Sequence, residues 1–223
     1  MIKYPKNMVV ISPHPDDETL GLGATIAKFV NNGTKVSVLV VSGHLPPLYD
    51  KRSFDITKKE AISAFNLLGV TDWDFLEIPA TTVHTIPVAE LNNKINTFIK
   101  NYNPELVMLP FPDRHIDHRT IFDASVVCCR PTGNNPPKVV LAYETLSETH
   151  WNVPGIEASF LPEFYVDVSD TIEKKTSALS LYESQIKDNP SRSKDACLAL
   201  AKFRGSQNGC NYAEAFKVIR IVV

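Results

Sequence analysis

The sequence predicts an α/β fold, a single Rossmann-like three-layer domain spanning residues 1–223 with a mainly parallel sheet. Strand-sized apolar runs alternate with helical periodicities through the first two-thirds of the chain. This alternation implies right-handed crossovers, which cover both faces of a parallel sheet with helices. A chain of 223 residues, of which 43% are hydrophobic, is long enough to bury one sizeable core.

The first half of the chain supplies three strand–helix pairs. Pro13 closes the first apolar run, and Gly33 and Gly69 follow the first two helical periodicities as C-terminal caps. Pro87 opens the third helix. The first helical position tolerates proline because a backbone N–H there would have no partner within the helix. The predicted strands are 8–12, 36–41 and 74–78, and the predicted helices are 19–32, 56–68 and 87–102.

The second half begins with a fourth pair and then loses the strict alternation. Its predicted strands are 106–109, 139–142, 164–168 and the apolar tail 215–223, and its predicted helices are 117–128, 169–186 and 194–205. The loops at 43–55, 79–86, 130–137 and 188–193 are the candidates for flexible segments.

Composition excludes several classes of function. A formal net charge of −2 creates no positive field for nucleic acid, and the N-terminus lacks the apolar region of a signal peptide. No apolar run approaches the roughly 18 residues of a membrane span. Four cysteines, two of them adjacent, make a poor disulfide framework. We expect a cytoplasmic protein that acts on a small molecule, with homo-oligomerisation left open.

Two clusters of histidine and carboxylate follow predicted strands. Segment 12–19 comes after the first strand and segment 112–118 after the fourth, and together they hold three of the six histidines. A lone histidine there would be a solvated loop residue, and a lone Asp-Asp pair a helix cap. Because a parallel sheet brings the carboxyl ends of its strands to one edge, the clusters can meet and form a site.

The residue types of these clusters suit a zinc site. Catalytic zinc keeps three protein ligands and one water, and it accepts imidazole and carboxylate. His14 and Asp17 are three residues apart at a strand-to-helix turn, and His115 and His118 are three apart near the start of a helix. The set exceeds three ligands, so the remaining groups can act on water and substrate.

At these residues the sequence resembles the PIG-L/LmbE-like family of zinc-dependent N-acetylglucosamine deacetylases. Segment 13–18 matches the family motif (A/S)-H-P-D-D-E, and segment 115–118 matches H-x-D-H. Segments 182–185 and 212–216 also look like family segments, so the resemblance covers most of the chain. It implies removal of the N-acetyl group of a GlcNAc-type sugar, whether a glycoside, a nucleotide sugar or a biosynthetic intermediate.

The resemblance also assigns roles. It implies one Zn²⁺ per chain on the metal ligands His14, Asp17 and His118, with Asp16 as general base. His115 would stabilise the oxyanion or act as general acid, and Asp117 would orient it and favour its charged form. The chemistry agrees, because zinc lowers the pKa of its water toward ~7 and Asp16 can pass that proton to the departing amine.

Substrate contacts are less determined by the sequence. Family members often carry an arginine three residues before a helix glutamate, but here Thr57 precedes Glu60. Arg52, His44 and Trp151 are the candidate substrate contacts, although each also fits an ordinary loop charge, loop histidine or aromatic packing residue. Glu18 is either a helix-start carboxylate or a support for its neighbours. We expect a structural salt bridge between Arg204 and Glu214.

Two alternatives remain open at this point. A zinc amidohydrolase acting on another N-acylated substrate, such as a chito-oligosaccharide, would share every site residue. A non-catalytic Rossmann-like binding module would instead have a Gly-rich phosphate loop after the first strand, where this chain has proline and carboxylates. Iron or cobalt could replace zinc.

Overall fold

The computed structural model describes residues 4–133 and 135–222. Its seven-stranded sheet has the order β3-β2-β1-β4-β5-β7-β6. The strands are β1 Asn7–Ser12, β2 Lys35–Gly43, β3 Asp72–Pro79, β4 Leu106–Pro110, β5 Val139–Tyr143, β6 Phe164–Asp167 and β7 Ala213–Ile221. The first five strands pair in parallel, whereas β7 is antiparallel to both β5 and β6. The predicted mainly parallel α/β sheet is therefore confirmed.

Helices cover both faces of the sheet. They are α1 Asp17–Asn31, α2 Lys51–Leu68, α3 Val88–Tyr102, α4 Ile116–Cys128, α5 Ile172–Leu179, α6 Glu183–Ile186 and α7 Lys194–Ser206. Met8 and Val10 of β1 belong to a core with α1, α2 and α5, while Val9 and Ile11 belong to a second core with α3 and α4. This alternation along one strand produces the three layers. Within the described residues, none of the helices combines the length and apolarity that crossing a membrane would require.

Two helix boundaries differ from the sequence prediction. α2 begins at Lys51 rather than near residue 56, because the Asp50 side chain caps it by accepting the N–H of Arg52 at 2.8 Å. The single helix predicted over 169–186 is two helices, α5 and α6. It breaks at Tyr182, whose side chain turns into the core and donates to Glu18 at 2.6 Å.

The site lies at the switch point of this topology. β1 is the strand between β2 and β4, so the chain leaves β1 and β4 toward opposite faces of the sheet. The carboxyl ends of such strands leave a crevice between their loops. The β1–α1 and β4–α4 loops that border it carry the two histidine and carboxylate clusters.

Candidate active site

Three side chains converge at the switch point. The Oδ2 atom of Asp17 lies 3.1 Å from Nδ1 of His14 and 3.2 Å from Nε2 of His118. One ring nitrogen from each of His14, His115 and His118 lies within 4.8 Å of the other two. The Nε2 atom of His118 is fully buried and, apart from this approach to Asp17, has no hydrogen-bond partner. A buried, unpartnered nitrogen beside a carboxylate and a second imidazole fits a metal ion.

His14 and His118 each have a second ring nitrogen, here called the outer nitrogen, that faces away from Asp17. Each outer nitrogen lies beside another carboxylate. His14 Nε2 lies 3.0 Å from Oδ2 of Asp117, and His118 Nδ1 lies 2.9 Å from Oδ2 of Asp113. Thr149 in turn donates to the same oxygen of Asp113 at 2.9 Å. Metal-binding histidines characteristically use their second nitrogen in this way, which fixes the ring and its tautomer. The donor set and its support therefore fit a metal site.

Asp113 is a candidate site residue that was not predicted from the sequence. It stands inside the cluster at 112–118, and its side chain is completely buried. Its Oδ1 atom also accepts the backbone N–H of His115 at 3.0 Å. The sequence does show an additional carboxylate close to both histidines. Which histidine Asp113 contacts, however, depends on where α4 begins.

Asp16 has an unusual backbone and a buried carboxylate. Its φ of 122° lies in a region that non-glycine residues rarely adopt, a form of strain concentrated at functional sites. Burial raises the pKa of Asp16 to about 8, and the positive charge of Arg192 acts in the opposite direction. Arg192 Nη1 donates to Asp16 Oδ2 at 3.0 Å. No sequence pattern pointed to Arg192, which is 176 residues away from Asp16.

Glu18 supports the loop that carries Asp16. Its Oε1 atom accepts the hydroxyls of Tyr182 at 2.6 Å and Thr19 at 2.7 Å, and its Oε2 atom accepts Ser12 Oγ at 3.0 Å. The backbone N–H of Asp16 also donates to Oε2, at 3.3 Å. Of the two roles left open by the sequence, the structure favours support of its neighbours.

Asp117 does not have the partner that the sequence led us to expect. Its Oδ2 atom is 4.0 Å from His115 Nδ1 but 3.0 Å from His14 Nε2, and it also accepts the N–H of Thr81 at 2.7 Å. Burial, together with the charges of His14 and His118, lowers the pKa of His115 to about 4. The charge of Asp117 does favour protonated His115, as expected, but burial and the two neighbouring histidines outweigh it. At the start of α4 the Asp117 N–H also donates to His115 Nδ1 at 3.1 Å, which favours the neutral ring.

The three candidate substrate contacts lie in different environments. His44 is half-buried against Tyr49, with ring centroids 4.5 Å apart, and its Nδ1 atom is buried without a partner. Burial and the charges of His14 and Arg192 lower the pKa of His44 to about 4. Arg52 is exposed on the first turn of α2, and Trp151 is 63% exposed.

The predicted salt bridge between Arg204 and Glu214 is wrong. Arg204 forms a bidentate pair with Glu144, at 2.9 and 2.7 Å, while Glu214 pairs with Lys175 at 2.6 Å. Arg204 projects from α7 toward the end of β5, so Glu144 is the carboxylate within its reach.

Positions 57 and 60, where the family's arginine and glutamate would stand, are structural here. Thr57 is buried and donates to the carbonyl of Phe54, and Glu60 accepts both the N–H and the hydroxyl of Ser184.

A separate cavity of about 600 Å³ lies between α3, α4 and the loop before β5. Its lining residues include Pro104 before β4 and Pro137 before β5, and they include no member of the histidine cluster.

Comparison with known proteins identifies the family. The model of the PIG-L family, described as GlcNAc-PI de-N-acetylase, matches residues 9–129, which contain both clusters. The chain belongs to the PIG-L family. The family match ends before the segments that hold Thr149, Tyr182 and Arg192.

Relatives of this PIG-L protein cover most of its length. Diacetylchitobiose deacetylase of Thermococcus kodakarensis is 28% identical over 96% of this chain and 83% of its own. A probable N-acetyl-alpha-D-glucosaminyl L-malate deacetylase 2 of Bacillus anthracis is 24% identical over 82% of this chain and 83% of its own. The conserved protein TT1542 of Thermus thermophilus superimposes with a TM-score of 0.78 at 26% identity, covering 97% and 96% of the two chains.

Proposed function

We propose that this protein is a metal-dependent N-deacetylase that removes the acetyl group of a GlcNAc-type amino sugar and releases acetate. The observation that carries the proposal is the convergence of His14 and His118 on Asp17, with Asp16 beside them. Membership of the PIG-L family and the deacetylase names of its relatives support it. The substrate is a glycoside, a nucleotide sugar or a biosynthetic intermediate that carries this sugar.

The proposed metal ligands are His14, Asp17 and His118. Two imidazoles and one carboxylate suit one zinc ion per chain, and iron or cobalt is compatible with the same donors. When bound, the metal lowers the pKa of water and polarises the amide carbonyl. Asp113 and Asp117 hold the outer nitrogens of His118 and His14 and so keep both rings aimed at Asp17.

Asp16 and His115 are the proposed catalytic groups. Asp16 accepts a proton from the attacking water and delivers it to the departing amine, which is otherwise a poor leaving group. His115 Nδ1 already accepts a backbone hydrogen bond, so its neutral ring carries the proton on Nε2. That N–H can donate to the oxyanion that develops on the carbonyl oxygen. Asp117 contributes its backbone N–H to this arrangement.

The remaining assignments extend the same proposal. His44, Arg52 and Trp151 contact the sugar or the group attached to it, with His44 at the wall of the site.

Residues 1–223 form one deacetylase unit, since the sheet begins at Asn7 and its last strand ends at Ile221. Its four free cysteines agree with a cytoplasmic location. Homo-oligomerisation is compatible with the fold.

A related deacetylase activity would differ only in the sugar that carries the N-acetyl group. One relative is a diacetylchitobiose deacetylase, which favours N-acetylated oligosaccharides as alternative substrates. Acetate release from mono-, di- and oligosaccharides at equal concentration separates the two possibilities. A preference for the longer sugars in kcat/KM would assign the chito-oligosaccharide activity instead.

The test of the proposed function is the Asp16→Asn variant. We expect it to retain near-normal metal content and to release acetate about 10²–10⁴-fold more slowly, because the amide cannot accept the proton of water. Asp55→Asn is the matched control, since Asp55 is exposed on α2. Acetate release at the wild-type rate by Asp16→Asn would remove Asp16 from the mechanism. A metal-loaded wild-type enzyme that releases no acetate from N-acetylglucosamine glycosides, from nucleotide-linked N-acetylglucosamine or from the oligosaccharides would overturn the function itself.

A further inference from the structure

Arg192 joins the Asp16 carboxylate to the loop after β5. Its Nη1 atom donates to Asp16 Oδ2 at 3.0 Å, its Nε to Ser147 Oγ at 2.8 Å and its Nη2 to Glu148 Oε1 at 3.2 Å. The side chain is only 21% exposed. Each of the three guanidinium nitrogens is thus engaged by a different residue, which fixes the plane of the group.

Arg192 ends a short 3-10 turn that leads directly into α7. A 3-10 turn at Pro190–Arg192 begins with proline, and the Arg192 N–H donates to the carbonyl of Asn189 at 3.2 Å. The next residue, Ser193, caps α7 by accepting the N–H of Ala196 at 3.1 Å. The turn is therefore anchored on its C-terminal side by a helix, and Arg192 is held where it can reach Asp16.

The contacts of Arg192 also connect the two halves of the site. Ser147 and Glu148 directly precede Thr149, whose hydroxyl donates to Asp113. Asp113 in turn holds the outer nitrogen of His118. One short loop therefore supports a proposed metal ligand through Thr149 and the proposed base through Arg192.

We propose that Arg192 is a positioning residue for deacetylation, which orients the Asp16 carboxylate relative to the metal ligands. The inference rests on the proposed function. Arg192 acts through Asp16 and not on the substrate, since protein atoms engage all three of its nitrogens. Small displacements of a reacting group cost about 10²-fold in rate, so loss of this contact affects kcat. KM should stay close to its wild-type value.

The first experiment compares Arg192→Gln and Arg192→Lys with wild type in the metal-loaded enzyme. We expect kcat to fall about 10²-fold in Arg192→Gln, with KM and metal content retained. Lysine keeps the charge but cannot contact three partners in one plane, so Arg192→Lys should recover only part of the rate. Arg220→Gln is the matched control, because Arg220 binds two backbone carbonyls near the opposite edge of the sheet.

The second experiment is chemical rescue, which a merely structural role would not permit. Guanidinium chloride, added at concentrations that leave wild type unaffected, should raise kcat of Arg192→Gly and leave Asp16→Asn unchanged. Thermal melting of each variant verifies that it is folded. Should Arg192→Gly be unfolded, the folded Arg192→Gln variant still provides the comparison of kcat with KM.

The outcomes are separable. Wild-type kcat in both Arg192→Gln and Arg192→Lys would overturn the inference while leaving the proposed function standing. A loss of rate with equal loss of metal would likewise overturn it, because Arg192 would then act only on the stability of the metal site. Failure of the proposed function would show itself as an inactive wild-type enzyme.

Discussion

Asp113 and Asp117 determine how the two converging histidines are held. Each carboxylate takes the outer nitrogen of one ring, so the inner nitrogens, His14 Nδ1 and His118 Nε2, are left facing Asp17. A histidine without such support samples more ring orientations and tautomers, and it must lose that freedom when it binds metal. The buried carboxylates therefore prepare the site for its ion before the ion arrives.

At the residue scale this predicts the effect of Asp113→Asn. The variant loses the charged partner of His118 Nδ1, so we expect metal affinity to fall about 10–100-fold. Competition with a chromogenic chelator measures the change. Asp123→Asn, at an exposed position of α4, should bind metal with wild-type affinity. Equal affinity of Asp113→Asn and wild type would mean that the carboxylate does not support the ligand.

At the scale of elements, α1 is interrupted and its break is repaired from β7. Leu22 has non-helical φ and ψ of −145° and 22°. The N–H groups of Ala24 and Thr25 donate instead to Glu214, at 3.2 and 2.6 Å. Lys175 of α5 neutralises this buried carboxylate at 2.6 Å. Because buried amides and charges need partners, these contacts tie three elements together.

The buried pair predicts that Lys175→Met is strongly destabilising. Methionine leaves Glu214 charged and without a cation in the core, for which the cost is about 3–5 kcal/mol in the free energy of unfolding. Urea unfolding measures this. Lys174→Met is the matched control at an exposed neighbouring position and should change stability by no more than about 0.5 kcal/mol. Similar values for the two variants would contradict the role assigned to the pair.

At the scale of the whole molecule, the C-terminal part closes onto the parallel sheet. β7 inserts between β5 and β6, and Glu144 at the end of β5 binds Arg204 of α7 and His150. Burial alone would raise the pKa of Glu144, but the hydrogen bonds of His150 and Arg204 hold it below its usual value of 4.5. The ionised carboxylate is thus favoured by folding.

The lowered pKa of Glu144 makes the stability of the protein depend on pH. A carboxyl whose pKa is lower in the folded state contributes stability above its unfolded value, near pH 4.5, and loses it as the pH falls through the folded value. We therefore expect Glu144→Gln to unfold more readily than wild type at pH 7, with a difference that shrinks below about pH 4.5. Urea unfolding across this pH range tests the trend.

The control for the pH series is Glu183→Gln, because Glu183 is exposed at the start of α6. Its stability should follow that of wild type at every pH. A deficit of Glu144→Gln that is the same at neutral and acidic pH would show that the loss comes from packing and not from the charge.

The sequence by itself determined the order of strands and helices, the mainly parallel sheet and the family. These features follow from local periodicity, from caps such as Gly33 and Gly69, and from two motifs that parallel strands must bring to one edge. Even so, the predicted start of α2 was wrong and the break between α5 and α6 was not predicted, since a capping side chain and a buried tyrosine decide them.

Only the tertiary structure decided which charged groups are partners. Arg192 reaches Asp16 across 176 residues, and Arg204 takes Glu144 rather than Glu214 across 60 residues. Asp117 likewise lies nearest to His14, although His115 is its neighbour in sequence. Charge attracts any opposite charge, so residue type alone does not select a partner. The selection comes from how helices and loops pack on the sheet, which sets the few pairs whose atoms can meet away from water.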